Sequence, residues 1–294
     1  MKRTIYTLLF SLILLIGLSS MDQTATATTY SVGLESSHIR ITSPQTSGIG
    51  CHGSVSISGK SDLPTVWFCV RGPQGDLSGA QAEVAGGSFT TDINLRLGEG
   101  EYTVWAGDNA ERFDGSIRFL VENQGAQDTR YTSASCYVDS DNPEIIQLAD
   151  SLAPSGLDDM EKLRNIHDWI TNNISFDCNA YISNDNTLHS ASQVLKTRTG
   201  MCRDYAFLLA ALSRAAGLQA RVIYGEAVSG GSSSKCLHAW NEVQINGKWV
   251  PVDSCWDAGY VQDNSFVFAP STKFLAPDMN VLAVTHTNSS PTLD

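Results

Sequence analysis

Basic residues are scarce in this 294-residue chain: 19 Lys and Arg stand against 31 Asp and Glu, a formal net charge of −12. No Lys/Arg block occurs that could neutralise successive phosphates, which makes nucleic acid and anionic membrane surfaces poor candidate partners. Charged residues make up only 17% of the chain and hydrophobic ones 42%. The charge excess and apolar poverty of a disordered chain are therefore absent, and the chain folds. Long hydrophobic runs are equally scarce. The one that occurs, Leu8 to Leu18, is broken by Ser11 and Gly17 and falls short of the roughly 20 residues that cross a bilayer.

Lys2 and Arg3 precede that run, and Ala25-Thr26-Ala27 follows it with the small-x-small pattern of a signal-peptidase site. Residues 1–27 read as a cleaved export signal, with no cysteine after the run to carry a lipid anchor. The expectation is a secreted, extracytoplasmic protein with no membrane span, beginning near Thr28. The cysteines lack an even count. There are seven, at 51, 69, 136, 178, 202, 236 and 255, so in an oxidising compartment pairing leaves one free.

From Ser37 to about Val121, short alternating runs separated by Gly, Pro and Asp carry no helical period. His38–Ile41, Ser54–Ile57, Thr65–Val70, Phe89–Leu95, Tyr102–Trp105 and Ile117–Val121 fit strands. The spacing predicts an all-β sandwich over 30–125, and the run from Leu97 to Val104 resembles the late hairpin of immunoglobulin-like domains. Glu122 to Asp128 is polar and reads as a linker. Beyond it the pattern changes. Asn142-Pro143 opens one helix, and Asp158-Asp159 opens a second with Met160, Leu163, Ile166 and Ile170 on one face. A third runs from Cys202 toward Gly217. Strands follow at Ala220–Tyr224, His238–Ile245 and Lys248–Asp253, so 136–285 reads as an α+β domain.

Gly200-Met201-Cys202 places a thiol at the first turn of an apolar helix, where unpaired N–H groups and the helix dipole favour a thiolate and an oxyanion. Asn246-Gly247 between alternating runs predicts a two-residue hairpin. In that register Ile245 faces Lys248, Trp240 faces Asp253 and His238 faces Cys255. His238 and Asp253 then become diagonal neighbours, about 7 to 8 Å apart at the backbone. The carboxylate can hold the imidazole tautomer, leaving the other ring nitrogen to take the thiol proton.

These residues, with Trp169-Ile170, Asn173-Ile174-Ser175-Phe176-Asp177, Thr199 to Ala206, His238-Ala239-Trp240-Asn241-Glu242-Val243 and Trp249-Val250-Pro251-Val252-Asp253, resemble the transglutaminase-like superfamily of papain-fold cysteine enzymes, in its secreted bacterial-type form. The resemblance covers about Ile166 to Trp256 and says nothing of the sandwich. It implies a transglutaminase-like (papain-like) fold, with Cys202 as nucleophile, His238 as base and Asp253 as orienting carboxylate. Asp257 is the next carboxylate to consider. Phe176 stands where the family more usually has Tyr, so a hydroxyl is missing there. No cofactor or metal is implied.

The implied reaction attacks an amide carbonyl and forms an acyl-enzyme. Water as acceptor makes a peptidase or amidase, the favoured expectation, and an amine makes a protein-crosslinking transglutaminase. A non-catalytic surface or adhesion module on the same fold is the third reading. Protein or peptide substrates, cell-surface or wall-associated, are the expected partners. With Cys202 as the free thiol, three disulfides are expected: Cys236 with Cys255, Cys51 with Cys69, and Cys136 with Cys178. The rival use of Cys202, Cys236, His238 and Cys255 is a zinc site, for which Cys-x-His is a poor ligand spacing. His38, His52, His167, His189 and His286 read as structural or solvated.

Overall fold

Alternation of buried and exposed side chains organises the first half of the chain. In a computed structural model that describes residues 32–110, 112–125, 127–185, 187–228 and 235–292, nine strands precede the first helix. They are β1 Gly33–Leu34, β2 Ile39–Ser43, β3 Ile49–Cys51, β4 Ser54–Ser61, β5 Thr65–Arg71, β6 Leu77–Glu83, β7 Ser88–Asn94, β8 Gly100–Gly107 and β9 Ile117–Asn123. The export segment read at 1–27 lies outside the described residues.

One sheet runs β1-β9-β8-β5-β6 with β3 also along β9, and the other runs β2-β4-β7. Period-2 burial lets each sheet turn one apolar face inward. Ile39, Ile41, Val55, Ile57 and Ile93 thereby join Val66, Phe68, Val104 and Phe119 in one core. Strand β6 escapes a sequence reading because Leu-Ser-Gly-Ala-Gln-Ala-Glu has no β-branched or aromatic residue. Antiparallel pairing with β5, from Thr65↔Glu83 to Arg71↔Leu77, makes it a strand.

The expected polar linker is partly built into this region. Asn123 is buried, and its amide donates to the Leu95 and Gly98 carbonyls at 3.0 and 2.8 Å, the same two that accept from the Tyr102 hydroxyl. Asp128 bridges Leu97, and buried Arg96 donates to the Arg130 carbonyl at 2.7 Å. The strap then reaches forward: the Ala220 N–H donates to the Tyr131 carbonyl at 3.0 Å, and the Tyr131 ring packs on Trp249 at 5.3 Å.

The second half contains α1 Pro143–Leu152, α2 Asp159–Asn173, β10 Ser175–Phe176, α3 Cys178–Ser183, α4 Ala191–Thr197, β11 Thr199–Gly200 and α5 Cys202–Ala215. It continues with β12 Ala220–Val228, β13 Lys235–Ile245, β14 Lys248–Val252, α6 Ser254–Ala258, β15 Gly259–Gln262, β16 Ser265–Phe268, α7 Met279–Thr285 and β17 His286–Thr292. Asn142 caps α1, with Pro143 in its first turn. Asp158 and Glu161 close a reciprocal capping box on α2. Helix α5 is buried continuously from Asp204 to Arg214, as a helix wrapped by other elements must be. It packs against the antiparallel sheet β14-β13-β12-β17.

Asn246 and Gly247, with φ of 50° and 76°, make the two-residue turn between β13 and β14. The register runs from Ile245↔Lys248 to Asn241↔Val252, as the turn dictates. There it stops. The strand expected to reach Asp253 ends at Val252, and Asp253 caps α6 instead. Among the described residues no helix is long and apolar enough to cross a membrane.

All seven cysteines are free, so the three expected disulfides are not formed, and topology explains two of them. Cys51 on β3 and Cys69 on β5 are separated by β9 and β8, three strand spacings or about 14 Å, twice the span a disulfide bridges. Cys236 pairs with Ala227 on β12, five residues beyond the last β13–β14 pair, while Cys255 has turned away into α6. Cys136 and Cys178 are likewise thiols; burial and the Asp139 carboxylate push Cys136 up to about 12.

Candidate active site

Cys202 is the first residue of α5, so its N–H has no acceptor within the helix. The chain is delivered to that point by β11, which pairs in parallel with β10 through Ser175↔Thr199 and Phe176↔Gly200. The Met201 N–H donates to Asp204 Oδ2 at 2.7 Å, folding the Asp204 side chain back over the helix start. A Cβ at Gly200 would lie 2.6 Å from the Asp204 Cβ, so glycine is needed for that fold-back.

His238 lies on β13, opposite Gly225 of β12. The Asn241 amide, three residues further along β13, donates to the Ala206 carbonyl of α5 at 2.9 Å. That bond pins β13 to the helix that carries the thiol. His238 Nε2 is 2.7 Å from Asp253 Oδ2, and the Cys202 thiol lies near enough to the imidazole to help raise its pKa. With Nε2 committed to the carboxylate, Nδ1 is the nitrogen left for the thiol. Trp240 and Trp256 flank the ring at centroid distances of 6.1 and 5.3 Å.

Burial alone would lower the His238 pKa. The Asp253 charge and hydrogen bond, together with Cys202, overcome it and raise it to about 10. Asp253 is fully buried, which works against its charge, yet the His238 charge and the bonds from His238 and His286 hold it well below the usual carboxylate range. Its Oδ1 accepts the Trp256 N–H at 3.1 Å. Every lone-pair direction that matters is thus occupied, which is how a buried carboxylate stays ionised.

The structure therefore brings Cys202, His238 and Asp253 together. Asp257 is engaged elsewhere: His167 Nε2 lies 3.0 Å from its Oδ2, the Phe274 N–H donates to the same oxygen at 2.8 Å, and Ser271 donates to Oδ1. That second His–Asp pair ties α2 to α6 and the segment after β16. The zinc set is not assembled. Among the described residues the metal-like grouping is His238, Asp253 and His286, with ligand atoms within 4.8 Å of one another, and Cys236 and Cys255 are outside it. Both His–Asp contacts in that grouping are hydrogen bonds to one oxygen, at 2.7 and 3.1 Å. A cavity of about 580 Å³ lined by Glu144, Leu148, Leu195 and Arg198 lies between α1 and α4 and holds none of these residues.

His286 is the residue that sequence reasoning missed. It stands 33 positions beyond Asp253, and its neighbours Thr285 and Thr287 carry no motif. Only the pairing of β17 with β12 brings it back to the site.

Residues 146–254 match the model of the transglutaminase-like superfamily. This stretch is a transglutaminase-like domain. It contains Cys202, His238 and Asp253 and stops short of Trp256 and His286. The chain is 30% identical over 128 residues to mouse kyphoscoliosis peptidase, covering 42% of this chain and 19% of that protein. To the human protein of the same name it is 31% identical over 121 residues, 39% of this chain and 18% of that protein. The match thus spans less than a fifth of either relative. A candidate cysteine protease from Cytophaga hutchinsonii aligns over 90% of this chain and 80% of its own at 20% identity, with a TM-score of 0.39. The transglutaminase-like domain of this protein is preceded by a β-rich region of several sheets.

Proposed function

We propose that this protein is a cysteine-dependent amide hydrolase acting on protein or peptide chains. The observation that carries the reading is the position of His238, beside Cys202 and hydrogen-bonded to a buried, ionised Asp253. His238 takes the thiol proton, and Cys202 Sγ attacks the amide carbonyl. The Cys202 N–H at the start of α5 faces the oxyanion that develops. His238 then gives the proton to the departing amine, leaving a thioester to Cys202. Water, deprotonated by the same imidazole, releases the acid and restores the thiol.

The peptidase names of the mouse and human relatives support water over an amine as acceptor. The charged start and apolar run at Lys2 to Leu18 support export, and so a substrate outside the cytoplasm. We read the amino-terminal sheets as an immunoglobulin-like sandwich, because the Tyr102 hydroxyl ties back to Leu95 and Gly98 as in the tyrosine corner of such domains.

The test is mass spectrometry of peptide mixtures incubated with the protein, with and without a primary amine, beside the Cys202→Ala variant. New peptide termini that vanish with the variant support hydrolysis. Amine adducts in place of new termini would make it a crosslinking enzyme, and identical spectra for parent and variant would remove the catalytic reading.

A further inference from the structure

His286 is spent on the carboxylate of the site, although it lies outside the transglutaminase-like match. Its backbone N–H closes α7 by donating to the Leu282 carbonyl, and the next residues run into β17, so the ring is held between a helix end and a strand. Its side chain is fully buried. Trp256 lies 4.7 Å away, Trp240 4.8 Å and Phe274 5.5 Å by ring centroids.

A box of three aromatic rings is filled at least cost by a fourth apolar ring. A buried imidazole is tolerated there only if its nitrogens are hydrogen-bonded. Both are. Nδ1 lies 2.8 Å from the Thr285 hydroxyl, and Nε2 lies 3.1 Å from Asp253 Oδ2, the oxygen that also takes the His238 proton. With the Trp256 N–H on Oδ1, the carboxylate is gripped at both oxygens and cannot rotate about its Cβ–Cγ bond without breaking a bond to an imidazole. Remove the His286 donor, and Oδ2 keeps only His238 while Oδ1 keeps the Trp256 N–H, so two bonds hold the plane of the carboxylate in place of three.

We propose that His286 is a positioning residue: it fixes the Asp253 carboxylate and, through it, holds the His238 imidazole in the orientation that takes the Cys202 proton. The inference rests on the reading of Cys202, His238 and Asp253 as a thiol site. It makes the carboxy-terminal strand part of the active centre, since β17 is what carries His286 to Asp253. The titratable groups that face the His286 ring are Asp253 and His238.

The decisive comparison uses His286→Phe, which fills the aromatic box without a donor, and His286→Gln, whose amide nitrogen reaches the place of Nε2. Iodoacetamide labelling at pH 6, read per cysteine by mass spectrometry, follows Cys202 while exposed Cys236 and buried Cys255 serve as internal controls. In His286→Phe the Cys202 rate falls roughly tenfold, the weight of one hydrogen bond to a charged group, with Cys236 unchanged and Cys255 still protected. In His286→Gln most of the rate returns. An unchanged Cys202 rate in His286→Phe overturns the proposal, as does a loss in both variants that comes with labelling of Cys255, which marks a merely structural role. If Cys202 of the parent labels no faster than Cys236, the thiol-site reading itself fails and takes this role with it. A reactive parent and an equally reactive His286→Phe overturn the role of His286 alone.

Discussion

Asp253 serves His238 and the helix that follows it with different oxygens. Oδ2 lies 2.7 Å from His238 Nε2, while Oδ1 accepts the Trp256 N–H at 3.1 Å and so caps α6. The turn from β14 into α6 is what aims the carboxylate across the hairpin, and the helix cap keeps it aimed.

Asp253→Asn separates the two duties. Asparagine caps a helix as well as aspartate does, so α6 persists. With its oxygen on the Trp256 N–H, the amide nitrogen faces His238 Nε2, and the ring must carry its proton on Nδ1, where it cannot accept from Cys202. Activity falls by a factor on the order of 10³–10⁴, far more than stability. Loss of the carboxylate charge also lowers the His238 pKa from about 10, so the active range shortens from its alkaline side. Superimposable pH–rate profiles for parent and variant would leave Asp253 as a helix cap only.

The raised pKa of His238 has a signed effect on stability. A group whose pKa is about 6.5 unfolded and about 10 folded contributes fully below the first value and loses its contribution as pH rises through the second. Asp253, held low, contributes above the ordinary carboxylate range and loses it in acid. The difference in urea midpoint between parent and His238→Gln should therefore shrink from pH 6 to pH 10. A difference that grows over that interval would contradict the assignment.

Gly225→Ala tests how closely β12 approaches the site. A Cβ there would lie 2.6 Å from the Trp240 ring and 2.9 Å from the Thr287 carbonyl. The indole cannot retreat without pressing on His238 and His286, and the carbonyl belongs to the β17 backbone. Overpacking of this kind costs about 1–3 kcal/mol, and activity should fall with it. A thermal midpoint and rate equal to the parent would show that β17 yields freely.

His167→Ala addresses the second His–Asp pair. It strands Asp257 in the core with its remaining bonds to Phe274 and Ser271, and destabilises by about 3 kcal/mol, the low end for breaking a buried pair. Because neither residue bonds to His238, the shape of the pH–rate profile should be that of the parent. A shifted profile would bring Asp257 into the site.

Tyr102→Phe probes the amino-terminal region. The lost hydroxyl serves the Leu95 and Gly98 carbonyls, but the Asn123 amide serves them too. The expected loss is about 1 kcal/mol, read as a urea midpoint shift. A loss several times larger would mean that Asn123 cannot hold the corner alone.

Local chemistry was enough to place the parts. Asn142-Pro143 and Asp158 mark helix starts because caps act within one turn. Asn246-Gly247 sets the β13–β14 register because the turn type leaves no choice, and Gly200 before Cys202 marks the helix that carries the thiol. What lies beyond the last paired residue was not legible. Nothing in Val252-Asp253-Ser254 says that the ladder stops and a helix begins, since Trp240↔Asp253 would continue the same alternation; Asp253 leaves the sheet because its carboxylate caps α6. The cysteine pairs inferred from the hairpin diagonal and from domain membership dissolve for a similar reason, as sheet order, which no local pattern encodes, puts two strands between Cys51 and Cys69. His286 is the extreme case. Its segment is polar and short, and it becomes part of the site only when β17 closes on the free edge of β12, a contact between residues 59 to 70 positions apart in the chain. The nature of the chemistry was written locally, in a glycine, a helix start and a hairpin turn; the precise hold on its carboxylate was decided by which edges of the sheet were left to be filled.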